Sequence, residues 1–271
     1  MLRVGPLIGS HGEMTRLIIV LSVISIALYS VFMHIISTYA GHGSLGLFVN
    51  RMLDPFLSNR TEFIETDDLE WAKILRQNYI VIRDEYLNYV TNIRKPKRHR
   101  EIDKVQRFYD SSSVPWDVVM LRLFYREAND VIHFPKTFEL INKHLPTCSV
   151  VMFSILHPKK YIPKHRGPYS GAYRYHLGLI TSNTDEAFIE VEGERRSWYD
   201  GQDLMFDDTL QHLAYNDADV SRVVLFLDIA RTWRTSHPLL NSLLFYINTA
   251  FMHLGYYNKT IKEIIENANA V

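Results

Sequence analysis

The sequence predicts a mainly β domain, a sandwich or barrel of the jelly-roll kind, flanked by helices and preceded by a membrane-spanning helix. Three observations predict it. Between residues 147 and 233, short apolar runs alternate with turn signals at intervals of roughly ten residues. Ahead of that region, apolar residues recur at helical steps of three or four. At the N-terminus, Leu17 to Ile36 is a run of twenty residues without Asp, Glu, Lys or Arg.

That run would extend about 30 Å as a helix, the hydrocarbon thickness of a bilayer. It is long for the apolar core of a signal peptide, and no small-x-small site follows closely, so it reads as an uncleaved anchor. Arg3 and Arg16 before it nearly balance Arg51 and Arg60 after it, which leaves its orientation open. Residues 45–57 form a second, weaker apolar stretch suited to the membrane interface. From 68 to 92, Leu69, Ala72, Leu75, Tyr79, Ile82, Tyr86 and Val90 mark one helix, with Thr66-Asp67 as its N-cap. RKPKRHR follows at 94–100, six of seven residues basic or His. It suits a solvated loop broken by Pro96, or contact with anionic headgroups or phosphate. Residues 115–126 read as a strand or short helix, and 134–146 as a helix ended by Pro146.

The strand candidates are 149–156, 172–180, 187–192, 203–208 and 222–230. A small jelly roll needs about eight, which the region nearly supplies. After it, 239–257 carries no charged side chain. An interfacial helix seating the barrel mouth against a bilayer fits this run best. A core-packing helix is the alternative, and a second span is disfavoured by Asn241, Asn248 and His253. The organisation expected is an anchor at 1–40, an interfacial segment and helical lead-in at 41–146, the β core at 147–235, and a helical segment at 236–271.

Composition excludes several classes. Thirty basic and thirty acidic residues cancel, so no overall charge points to nucleic acid. The single cysteine, Cys148, excludes an internal disulfide framework and a cysteine-rich metal site. Twelve histidines keep a His-based metal site open. Within the β region His165 precedes one strand pair, His212 follows DLMFDD, and Arg222 opens the last apolar strand. Two imidazoles facing one cavity can hold a divalent iron, and a deeper arginine can bind a carboxylate through its two-pronged guanidinium. Spacing alone fits structural histidines equally well. Asp207 and Asp208 shape the turn that presents His212, with an outer-sphere role open, and Asp228 anchors a strand end.

KHRGPYSGAYRYHLGLI, then W-x-x-G at Trp198–Gly201, FDDTLQH and R-x-x-L-x-x-D at Arg222–Asp228, resembles the aspartyl/asparaginyl β-hydroxylase family. HRGPYSGAYRYHLGL, FIEVEGERRSW and LFLDIAR look closest to its membrane-bound lipid A 2-hydroxylase branch. The resemblance implies a double-stranded β-helix, a cupin-like jelly roll, using Fe(II), 2-oxoglutarate and O2 to hydroxylate an unactivated C–H. It implies His165 and His212 as iron ligands and Arg222 as partner of the distal carboxylate of 2-oxoglutarate. It places Ser154 on that same carboxylate, Arg174 and His176 along the cosubstrate side, and Arg122 near its mouth. The lipid branch has aspartate two residues after the first histidine, where this chain has Gly167; the protein-hydroxylase branch has glycine there. Three readings follow: a lipid acyl-chain hydroxylase on a bilayer (the inner membrane in a bacterium), a hydroxylase of Asp or Asn side chains in proteins, and a catalytically silent barrel.

Overall fold

The computed structural model describes residues 60–104, 107–110, 112–167, 169–232, 238–255 and 258–270. The expected anchor at 17–36 and the apolar stretch at 45–57 lie outside them. No helix among the described residues is long and apolar enough to cross a membrane.

Among the described residues, twelve strands form two antiparallel sheets: β1 (Phe63–Ile64), β2 (Lys97–Arg98), β3 (Trp116–Leu123), β4 (Arg126–Glu127), β5 (Cys148–Leu156), β6 (Lys160–His165), β7 (Ala172–Ile180), β8 (Ala187–Val191), β9 (Glu194–Ser197), β10 (Asp203–Phe206), β11 (His212–Asn216) and β12 (Arg222–Ala230). The larger sheet runs β1-β10-β7-β12-β5-β3-β2, with β4 on β3; the smaller runs β6-β11-β8-β9. From β5 onward the chain passes back and forth between the sheets, which is the winding of a jelly roll. β3, from the expected lead-in, pairs with β5 along most of its length and widens the larger sheet.

Alternation along the strands sets two apolar layers. Met152 and Leu156 of β5, with Val224 and Phe226 of β12, face Ile162, Ile189, Val191 and Ala214 of the smaller sheet. Val151, Phe153 and Ile155, with Val223, Leu225 and Leu227, face outward under helices α1 (Glu70–Gln77), α2 (Tyr79–Asn92) and α4 (Pro135–His144). Pro135 opens α4 in its first turn, and Glu85 of α2 accepts from the N–H groups of Lys136 and Thr137.

The single helix expected over 68–92 is two helices broken at Asn78, whose side-chain amide donates to the Ile74 carbonyl at 2.8 Å. Thr66 does not cap it. The first helix begins after Leu69, and Thr66 Oγ1 instead donates to Asp203, which also holds Arg76 at 2.7 Å.

The basic run is largely tied to protein partners rather than solvated, with Lys95 and Arg100 left exposed. Arg94 pairs with Asp130, and with Lys97 it donates to carbonyls at the end of α6 (Lys259–Asn269), where a helix dipole favours cations. Arg98 pairs with the buried Asp110 at 2.8 Å, and the fully buried Lys160 binds the same carboxylate at 2.6 Å, pinning the start of β6. His99 opens the short helix α3 (His99–Ile102) and stacks on Trp116 with ring centroids 3.8 Å apart.

The W-x-x-G motif is a packing device. A Cβ on Gly178 would meet the Tyr199 carbonyl at 2.1 Å, so glycine lets the 198–202 loop cross β7 and exchange backbone hydrogen bonds with it. Gly201 turns that loop at φ +74°.

Candidate functional site

His165 ends β6 and His212 opens β11, and the two are direct partners across the smaller sheet. Their ring centroids lie 4.1 Å apart. His165 Nδ1 lies 2.8 Å from the Pro163 carbonyl and His212 Nδ1 lies 2.9 Å from the Leu210 carbonyl. A carbonyl only accepts, so both Nδ1 atoms carry the proton and both Nε2 atoms present a lone pair. Desolvation is the main cause that lowers His165 to about 4, and also lowers His212, which His165 reinforces, to about 3. Both rings are therefore neutral at pH 7. Two neutral imidazoles of the same tautomer, oriented by backbone carbonyls, form a donor pair suited to a divalent transition metal.

Arg222 opens β12 on the interior face, and its guanidinium lies 4.4 Å over the Trp198 ring. Burial alone pulls its pKa down to about 9, with no carboxylate contributing. Its Nε, the Trp198 indole nitrogen and both ring nitrogens of His176 are buried without a hydrogen-bond partner among the described residues. His176 packs against Phe226 and Phe206, at 5.0 and 5.2 Å between ring centroids, and Phe206 in turn packs on His212 at 5.8 Å. Buried polar groups are normally paired. A buried arginine without an acid, beside further buried polar nitrogens, can receive an anionic guest. Ser154 borders it: Arg222 reaches its carbonyl at 3.5 Å, while its Oγ accepts from Trp116 Nε1 at 3.0 Å.

Arg174 and His176 share the interior face of β7, yet they do different work. Arg174 is held by Asp208 at 2.9 Å and by Asp228 at 3.0 Å, so its charge is already matched by protein. Asp207, one residue earlier, is fully buried and pairs with Arg231 at 2.7 Å. Arg122 is not at the cosubstrate mouth. It lies on the outer face over the Phe138 ring and bonds Glu127 and Asn142. Sequence reading gave no role to Trp198, His99 or Trp116; only the W-x-x-G spacing hinted at the first.

Gly167 has a steric reason. A Cβ there would sit 2.0 Å from a carboxylate oxygen of Asp208, so that carboxylate fills the space a side chain at 167 would need. The Gly167 N–H also donates to the Asp208 carbonyl at 2.6 Å. Gly167→Asp is expected to destabilise the fold by about 1–3 kcal/mol through overpacking. Gly167→Asp/Asp208→Gly should recover much of the loss, as read by thermal unfolding. A Gly167→Asp single variant as stable as the parent would show that Asp208 is not fixed there.

Residues 76–232 match the profile of the family described as Aspartyl/Asparaginyl beta-hydroxylase. The chain belongs to this family. The match spans α2 to the end of β12 and takes in His165, His212 and Arg222. Among hydroxylase relatives, an ornithine lipid ester-linked acyl 2-hydroxylase of Rhizobium tropici is 32% identical over 205 residues, covering 75% of this chain and 70% of its own length. The human aspartyl/asparaginyl beta-hydroxylase is 29% identical over 169 residues, 61% of this chain but 22% of that protein. Among solved structures, a predicted oxalate decarboxylase from Thermotoga maritima aligns with 42% of this chain and 82% of its own at 15% identity and a TM-score of 0.29.

Proposed function

We propose that the protein is an Fe(II)- and 2-oxoglutarate-dependent dioxygenase that hydroxylates an acyl chain of a membrane lipid, tethered to the bilayer by a single N-terminal span at Leu17–Ile36. The observation that carries the cofactor reading is the partnerless donor cluster around Arg222, on the interior that also holds the neutral His165–His212 pair. His165 and His212 would hold the metal through Nε2, and Arg222 would bind the distal carboxylate of the oxo-acid. With O2, the loaded group supplies the oxidising power that turns a C–H into a C–OH and 2-oxoglutarate into succinate and CO2. Trp198 orients the Arg222 guanidinium by stacking, and His176 offers a polar nitrogen to the same guest. Phe206, Phe226 and Met152 exclude water. Arg174 acts through others: by holding Asp208 and Asp228 it fixes the loop after His165.

The lipid reading is supported by the named acyl hydroxylase relative and by the barrel end beside Arg174 and Asp228. There Ala172, Ala230 and Met252 are buried and pack with Tyr169 and Phe245, an apolar seam that seats the helix Pro238–Gly255 on this end of the barrel. The second reading, hydroxylation of Asp or Asn in a protein, is favoured by Gly167 and by the mammalian relatives' names. The test supplies full-length protein with Fe(II), 2-oxoglutarate and O2. Separate arms contain an ornithine-lipid-type acyl lipid, a lipid A-type lipid, and a folded Asp/Asn peptide, and mass spectrometry follows oxygen insertion. A 16 Da gain in a lipid arm alone is expected. A gain in the peptide arm alone would favour the second reading, and iron binding without turnover in any arm would indicate a silent barrel.

A further inference from the structure

Helix α5 (Pro238–Gly255) carries its apolar residues on the wrong side for a helix facing water. Leu239 (88% exposed), Tyr246 (70%), Leu243 (54%) and Ile247 (42%) form one stripe turned away from the protein. Its inner side is fixed to the barrel. Met252 packs on Ala172 and Ala230, at the start of β7 and the end of β12. Asn248 donates to the Gly171 carbonyl at 2.7 Å and accepts from the Tyr169 hydroxyl, and Phe251 packs on the Tyr169 ring at 5.3 Å. Tyr169 lies four residues after His165. The helix that carries the exposed stripe is therefore seated, through this buried apolar seam, on the end of the barrel next to the proposed site.

Two facts choose the occupant. Residues 238–257 contain no Asp, Glu, Lys or Arg, so the stripe offers no charge to pair with a protein partner. The chain also holds a bilayer-length apolar run, Leu17–Ile36, whose end is separated from Arg60 by 23 residues, which keeps this domain within reach of a membrane. Tyrosine within an apolar stripe suits the lipid–water boundary. We infer that α5 lies in the bilayer interface, with Leu239, Leu243, Tyr246 and Ile247 among the lipids, so that the barrel end marked by Ala172 and Ala230 is held against the acyl chains. This deepens the reading of the site as a lipid hydroxylase and rests on it.

The test uses full-length protein reconstituted in phosphatidylcholine–phosphatidylglycerol vesicles. Nitroxide labels are placed singly at Leu243→Cys, Tyr246→Cys and, as a water-exposed control, Ile132→Cys; native Cys148 is buried and escapes labelling. Collision with O2 should exceed collision with a water-soluble nickel complex at 243 and 246, and the order should reverse at 132. Labels at 243 and 246 as wet as that at 132, or shielded from both relaxants by protein, would overturn the inference. Leu243→Glu/Ile247→Glu should raise KM for vesicle lipid at least tenfold with kcat and iron content unchanged; an unchanged KM would also count against it. Lipid hydroxylated while both labels sit in water defeats the docking surface alone. Labels in lipid with hydroxylation only of peptide defeats the lipid-substrate reading and leaves the bilayer contact standing.

Discussion

His212→Ala should lose metal binding, and turnover should fall by about a thousandfold or more. Removing even an outer partner of a metal ligand typically costs about 10–100-fold in affinity. Removing one of two protein ligands leaves a single imidazole. Metal binding is read by calorimetry with Mn(II), separately from activity. The pH profile of the parent protein is part of this prediction. An ordinary imidazole titrates near 6.5, whereas burial lowers His165 to about 4 and His212 to about 3. Both stay ready to ligate well below pH 6.5, so metal affinity should hold nearly flat from pH 8 to about 5 before falling. The sign for stability follows from the same shifts. The unfolded chain takes up protons that the folded sites refuse, so the metal-free fold loses stability as pH falls from about 6.5 through 4. Unchanged turnover in His212→Ala would remove the site assignment.

Arg174→Met should cost about 3–5 kcal/mol of stability, the usual result of removing one partner from a buried ionic group. Asp208 and Asp228 would then lose the cation that binds them both. Burial already pushes the Asp208 carboxyl up to about 7, against the lowering influence of Arg174. A raised carboxylate pKa means that the folded state holds the proton more tightly than the unfolded chain. The Arg174→Met penalty should therefore be larger at pH 8 than at pH 5.5, where protonation relieves it. Denaturant titrations at both pH values measure it, and Arg174→Met/Asp208→Asn/Asp228→Asn should regain most of the loss. A single-variant penalty under about 1 kcal/mol, equal at both pH values, would show that the cluster is not the support of the site.

Much of the barrel was legible because its central strands are apolar runs bounded by turns. β7 and β12 match the expected 172–180 and 222–230, and β5 begins one residue before 149. The strands that carry the histidines were harder to read. β6 is KYIPKH, mostly polar and interrupted by Pro163, and β11 is five residues long, so neither has the pattern of a buried strand. The chemistry of Arg174 could not be read locally, because its partners lie 34 and 54 positions later in the chain and meet it only through sheet pairing. The basic run at 94–100 misled for the same reason: its acid and carbonyl partners come from the 110–130 region and the C-terminal helix. Gly167 was visible as a departure from one branch of the family, but its cause, the Asp208 carboxylate in the same space, is a tertiary fact.

The most direct test of the central claim is calorimetric titration of 2-oxoglutarate into Mn(II)-loaded full-length protein, parent and Arg222→Met side by side. The parent should bind one equivalent, and Arg222→Met, which keeps both histidines, should bind at least about a hundredfold more weakly while retaining its metal. Equal affinity in the two proteins would mean that the partnerless donors around Arg222 do not receive the oxo-acid, and would contradict the account of the site.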